Sequence, residues 1–162
     1  MDDFQKKTIK TSRGYTYTYY TADGDSSLPA LFFQHGWPDE AAMWAGVASR
    51  IRSTSKYPII IPDLLGYGGT DKPTDPVEYK WDVMTKDLID IIDAEKVDKV
   101  ISIGHDWGSG CASRLHSYHP DRVAGLVNLN VTYMTPSRQK MNLDAVNAKT
   151  EQIFGYPQLA YW

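Results

Sequence analysis

The stretch "KVISIGHDWGSGCASRL" (Lys99–Leu115) decides how this chain is read. Its first part, "KVISIGH", is a short apolar run of the kind that forms a strand buried on both faces. Its last part, from "WGSG" onward, is a helix that opens on small residues. Between them stands Gly104-His105-Asp106-Trp107-Gly108. Glycines flanking one central residue let the backbone make a sharp strand-to-helix bend without a Cβ clash, and the bend presents the central side chain. A serine is the usual nucleophile at such a bend; here the residue is a carboxylate, Asp106. An aspartate before a helix is also a common N-cap, so the motif needs support from the rest of the chain.

Upstream, "KKTIKTSRGYTYTYYTA" alternates apolar with polar residues and is divided by Ser12-Arg13-Gly14, which predicts a hairpin over about Lys6–Thr11 and Tyr15–Thr21. "ALFFQH" and "YPIIIPDL" read as further buried strands. "EAAMWAGVASRIRST", with apolar Ala42, Met43, Trp44, Val47, Ala48 and Ile51, and "WDVMTKDLIDIIDAE" read as amphipathic helices. "VAGLVNLNV" is a fourth strand in sequence order after the hairpin, without the burial read for the others, and "GYGGTDKPTDP" is a loop. Strands alternating with helices predict an α/β fold, with a mainly parallel sheet covered by helices on both faces and made mixed by the leading hairpin. After Met134 the pattern changes to a polar helix and an aromatic segment. The domain reading is therefore core over 1–134 and a helical element over 135–162.

A second motif supports the first. "FFQHGWPD" places His35-Gly36-Trp37-Pro38 at the end of the first buried strand. In open α/β sheets chemistry gathers at the carboxyl ends of the strands. A turn there can aim the Trp37 backbone N–H at the spot served by the Trp107 N–H, which lies at a helix N-terminus. The carboxylate then has a chemical reason. A serine attacking a saturated carbon would leave an ether, which water does not readily cleave. A carboxylate leaves an ester, whose carbonyl water can attack while an oxyanion hole holds the charge. Asp106 thus points to substitution at an sp3 carbon, with epoxides and alkyl halides as the obvious substrates.

On His35-Gly36-Trp37-Pro38, "DLLGYGGTDKP" and Gly104-His105-Asp106-Trp107-Gly108-Ser109, taken in this order and spacing, the chain resembles the N-terminal half of the α/β-hydrolase-fold epoxide hydrolases of the soluble microbial and fungal type. The resemblance implies that Asp106 is the nucleophile and that the N–H groups of Trp37 and Trp107 form the oxyanion hole. It implies the start of a helical lid over 135–162 and a lid tyrosine that donates to the epoxide oxygen, because an alkoxide leaves poorly without acid assistance. Tyr156 is the first candidate and Tyr161 the second. It also implies a general-base histidine held by an acid, both beyond Trp162. The four histidines present fit that role poorly. His35 belongs to the turn, His105 is aimed away from Asp106 by the bend, and His116 and His119 lie at the far end of the helix. The expectation is a piece of a longer enzyme, or a chain completed by a second one that carries the C-terminal half.

Lys plus Arg number 17 and Asp plus Glu 20, giving a net charge of −3. That balance, with no basic stripe, argues against a nucleic-acid partner. No apolar run reaches the roughly 20 residues of a membrane span, and the N-terminus "MDDFQKKTIK" lacks a secretory pattern. With Cys111 as the single cysteine, the expected setting is a reducing, cytoplasmic one. The chemistry requires no cofactor, and no side-chain cluster has the spacing of a metal site. The expected substrate is a small hydrophobic epoxide. Two alternatives stay open: a haloalkane dehalogenase-like hydrolase, and a non-catalytic binding protein of the same fold.

Overall fold

The computed structural model describes residues 1–133, 135 and 141–160. Its six-stranded sheet has the order β1-β2-β4-β3-β5-β6. β1 (Gln5–Lys10) and β2 (Thr16–Ala22) form the expected antiparallel hairpin, and β2 also runs antiparallel to β4 (Ile59–Pro62). β4, β3 (Ala30–Gln34), β5 (Val100–His105) and β6 (Val123–Leu129) are parallel to one another. Both hairpin strands start and stop within a residue or so of the sequence expectation. The turn closes through Gly14 at φ 90°, with its N–H donating to the Thr11 carbonyl at 2.8 Å.

β3 and β4 are buried at every residue because helices cover both faces. On one face Leu88, Ile91 and Ile92 of α2 (Trp81–Ala94) and Cys111 and Leu115 of α3 (Trp107–Tyr118) pack on Phe32, Ile60 and Val100. On the other, Trp44 and Ala48 pack on Phe33, Ile59 and Ile61. Each fully buried aliphatic or aromatic side chain of this kind stabilises the fold by roughly 1.5–3 kcal/mol. Burial pushes the Cys111 thiol up to about 12.

The structure corrects the sequence reading at the first helix. Residues Ala41–Trp44 form a separate 3-10 turn and only Ala45–Thr54 is α-helical, as α1. The Ala41 N–H is held by the Asp63 carboxylate at 2.8 Å, which fixes a tight entry that apolar periodicity does not reveal. Val47, placed on the apolar face by its spacing, is 51% exposed. A second 3-10 turn, Pro76–Tyr79, begins at the last residue of the stretch expected as loop and runs toward α2. The polar helix after the core is α4 (Leu143–Phe154), ended by Gly155 in the left-handed region. β6 is the edge strand among the described residues, with Val127 and Leu129 each 41% exposed. No helix among the described residues is long and apolar enough to cross a membrane.

Candidate active site

Asp106 sits between β5 and α3 at φ 54° and ψ −127°. A non-glycine residue in that region is strained, and such strain is held only where the surroundings impose it. Three donors do so. The Asp106 N–H donates to the Leu129 carbonyl at 3.1 Å, and the Ser109 N–H donates to the Asp106 carbonyl at 2.9 Å. The Ser109 hydroxyl donates to the Gly104 carbonyl at 2.9 Å and also meets the Leu129 carbonyl at 3.0 Å. The flanking glycines are required by close approach. A Cβ on Gly108 would stand 2.1 Å from the Gln34 carbonyl oxygen, and one on Gly104 would stand 2.2 Å from that of Gly108.

The loop after β3 meets this bend. The Trp37 N–H donates to Oδ1 of Asp106 at 3.1 Å, and the Trp37–Pro38 peptide is cis. Gly36 lies so near that a Cβ there would be 2.5 Å from the Asp106 Cβ. His35 is fully buried. Its Nε2 accepts from the Leu64 N–H at 2.9 Å, so Nδ1 carries the proton and donates to the Gly36 carbonyl at 2.9 Å. Desolvation holds its pKa below the ordinary histidine value, which keeps the ring neutral. With both nitrogens engaged, His35 braces the loop.

The other histidines lie apart from the carboxylate. The His105 ring stands edge-on to Trp44 at 6.4 Å, on the α1 face of the sheet, and its Nε2 accepts from the Asn130 amide at 3.1 Å. His116 is in the last turn of α3 and His119 follows it. Tyr156 is 59% exposed and its ring faces Phe154 at 6.5 Å. The structure thus brings Asp106, Trp37 and Gly36 together, and neither Asp106 nor Tyr156 is among the residues that line the groove beside them. Tyr161 lies outside the described residues. No group of three or more His, Cys, Asp or Glu that could hold a metal occurs among the described residues.

A groove of about 370 Å3 opens beside the bend. Gly36, Trp37 and Trp107 line it on the carboxylate side, and Tyr67, Tyr79, Trp81 and Met84 line it on the α2 side, with Leu64 and Leu65 between. Sequence reasoning passed over the α2 wall. Its signal was the density of aromatic residues from Tyr67 to Trp81, in a segment read as plain loop and helix start. Asp63, the first residue of "DLLGYGGTDKP", was given no role of its own. This buried carboxylate accepts from the N–H groups of Ala41 at 2.8 Å and Gly69 at 2.9 Å, and so ties the loop after β3 to the loop after β4.

This sheet order, with a strained aspartate at the bend after β5 and a backbone donor from the loop after β3 aimed at it, has the shape of an α/β hydrolase. The family model for the alpha/beta hydrolase fold matches residues 29–155, and the chain belongs to that family. Within it, the chain is 38% identical over 108 residues to an epoxide hydrolase 2 of Siraitia grosvenorii, covering 67% of this chain and 34% of that one. It is 31% identical over 157 residues to the epoxide hydrolase srdG of Neurospora crassa, covering 93% and 44%. Among solved structures, an epoxide hydrolase of Vigna radiata superposes with a TM-score of 0.81 at 26% identity, over 91% of this chain and 45% of that one. The chain therefore spans less than half the length of these relatives.

Proposed function

We propose that this chain is the nucleophile-bearing part of an epoxide hydrolase. The observation that carries the reading is the hydrogen bond from the Trp37 N–H to Oδ1 of Asp106, made at a strained bend. A donor on Oδ1 leaves Oδ2 to attack. In the first half-reaction Oδ2 forms a bond to one epoxide carbon, the ring C–O bond breaks, and the ring oxygen takes up a proton as it leaves. We assign that proton to a lid tyrosine, with Tyr156 as candidate and residues 135–162 as the start of the lid, and residues 1–134 as the hydrolase core. In the second half-reaction water adds to the ester carbonyl carbon. Oδ1 becomes the oxyanion, held by the N–H groups of Trp37 and Trp107, and collapse releases the vicinal diol and restores the carboxylate.

The attacking water must lose a proton to a base. The engagement of both His35 nitrogens, and the position of His105 on the α1 face, support assigning the base and its acid partner to residues outside this chain. The names of the similar proteins support an epoxide as the substrate.

The test is intact-mass analysis after incubation with styrene oxide. The expected result is one adduct per chain, mapped to Asp106, absent in Asp106→Asn, and persistent because the ester is not hydrolysed. An adduct elsewhere, or none, overturns the nucleophile assignment. Diol release by the chain alone overturns the assignment of the base.

A further inference from the structure

The α2 wall of the groove is fixed before any ligand arrives. The Tyr79 hydroxyl donates to the Pro73 carbonyl at 2.8 Å, and its ring stands against Gly66, where an added Cβ would be 2.9 Å from the ring edge. Arg13 donates to the Glu78 carbonyl at 3.1 Å, holding the turn that presents Tyr79. Trp81 and Met84, three residues apart at the start of α2, fall on one helix face. The Tyr67 ring stands edge-on to His35 at 5.0 Å. No Asp, Glu, Lys or Arg is among the residues lining the groove. A wall made of aromatic and thioether groups favours a flat, uncharged ring, which gains ring-edge and sulfur contacts beyond simple burial. The volume of about 370 Å3 exceeds the roughly 150 Å3 that suffices for benzene.

Resting on the epoxide hydrolase reading, we infer that Tyr79, Trp81 and Met84 form the specificity-determining wall for the arm of the substrate that does not react, and that this arm is a neutral aryl group. Selection then comes from the core itself, from the junction of the second 3-10 turn with α2.

Phenyl glycidyl ether and butyl glycidyl ether test this, because their reacting atoms are the same and only the arm differs. The rate at which each modifies Asp106 of the full chain is read by intact mass. The wild-type phenyl-to-butyl rate ratio is expected to be about tenfold, to fall toward one in Trp81→Ala, and to recover in Trp81→Phe, in line with the discrimination a hydrophobic pocket can supply. Should Trp81→Ala not fold, Met84→Ala gives the same readout. A wild-type ratio of one, or a ratio that these variants leave unchanged, overturns the wall; a general structural effect would slow both ethers alike. If neither ether modifies Asp106, the nucleophile reading fails and the wall is judged separately. Saturation-transfer NMR with 3-phenoxy-1,2-propanediol then shows binding that Trp81→Ala weakens, or the wall is overturned as well.

Discussion

The Trp37 N–H and the Asp106 carboxylate, 69 residues apart in the chain, meet at 3.1 Å. Neither residue reaches that position by its own preference. Asp106 is pinned by Leu129 and Ser109, and Trp37 is carried by a loop whose carbonyl at Gly36 is held by His35. The contact is therefore a property of two braced loops, and it can be disturbed from either side.

Gly36 is the most direct place to disturb it. An alanine Cβ would fall 2.5 Å from both the Cβ and Oδ1 of Asp106, so one loop must move. Overpacking of this kind costs about 1–3 kcal/mol. Gly36→Ala is expected to lower stability by that amount in urea titration. It is also expected to slow modification of Asp106 by styrene oxide about 100-fold, since a displacement near 1 Å at a reacting group has that effect. Labelling at the wild-type rate would show that the loop is not held as described.

His35 gives the site a pH dependence. Its pKa in the folded chain lies below the ordinary value, because burial penalises the charged ring. The unfolded chain therefore binds more protons as pH falls through the ordinary value of about 6.5, and stability falls with it. This contribution is fully present above that value and is lost on the acid side. His35→Gln does not titrate there. The difference in unfolding free energy between wild type and His35→Gln is expected to shrink as pH is lowered through the window, measured by urea titration at several pH values. A difference that is flat with pH refutes the assignment.

The bend, the turn after β3 and all six strands could be read from the sequence because each is a local pattern. "ALFFQ" and "IIIP" are apolar without alternation because both faces are covered, and Gly104 and Gly108 mark close backbone approaches. What the sequence hid is long-range. The 3-10 entry at Ala41 depends on a carboxylate from Asp63, and the groove wall joins Tyr67 to Met84 through a turn whose position Arg13 helps to set. Tyr156 could be nominated from its place in the chain, but its role depends on packing around α4, in which no residue is buried.

Arg13 links the hairpin to the groove. Its guanidinium pairs with Asp87 at 2.5 Å and also with the Glu78 carboxylate, while Asp87, fully buried in α2, accepts from the Tyr17 hydroxyl at 3.0 Å. Burial raises the Asp87 pKa against the opposing pull of these partners. Arg13→Met leaves the carboxylate buried without its cation, and removing one partner of such a pair costs about 3–5 kcal/mol. The loss is expected to be smaller in acid than at neutral pH, because a protonated Asp87 tolerates burial. Denaturation of wild type and variant at the two pH values measures it; an equal loss at both would exclude Asp87 as the cause.

Asp63 makes the last case, because it separates holding the loops from holding the fold. Its two oxygens accept from Ala41 and Gly69, its own N–H donates to the Thr18 carbonyl at 2.9 Å, and the Thr70 hydroxyl donates to its carbonyl at 2.7 Å. Asp63→Asn keeps the backbone bonds and the volume. It turns one acceptor into a donor facing an N–H, and a buried donor left without a partner costs about 1–3 kcal/mol. The strain is confined to the two loops, so hydrogen exchange at the Ala41 and Gly69 amides is expected to quicken more than exchange in β3 and β5. Modification of Asp106 by styrene oxide should slow in parallel, because the 3-10 turn that begins at Ala41 continues the loop that carries Trp37. Exchange that quickens evenly across the sheet would mean that Asp63 stabilises the fold as a whole, and that the Trp37 loop is held by His35 alone.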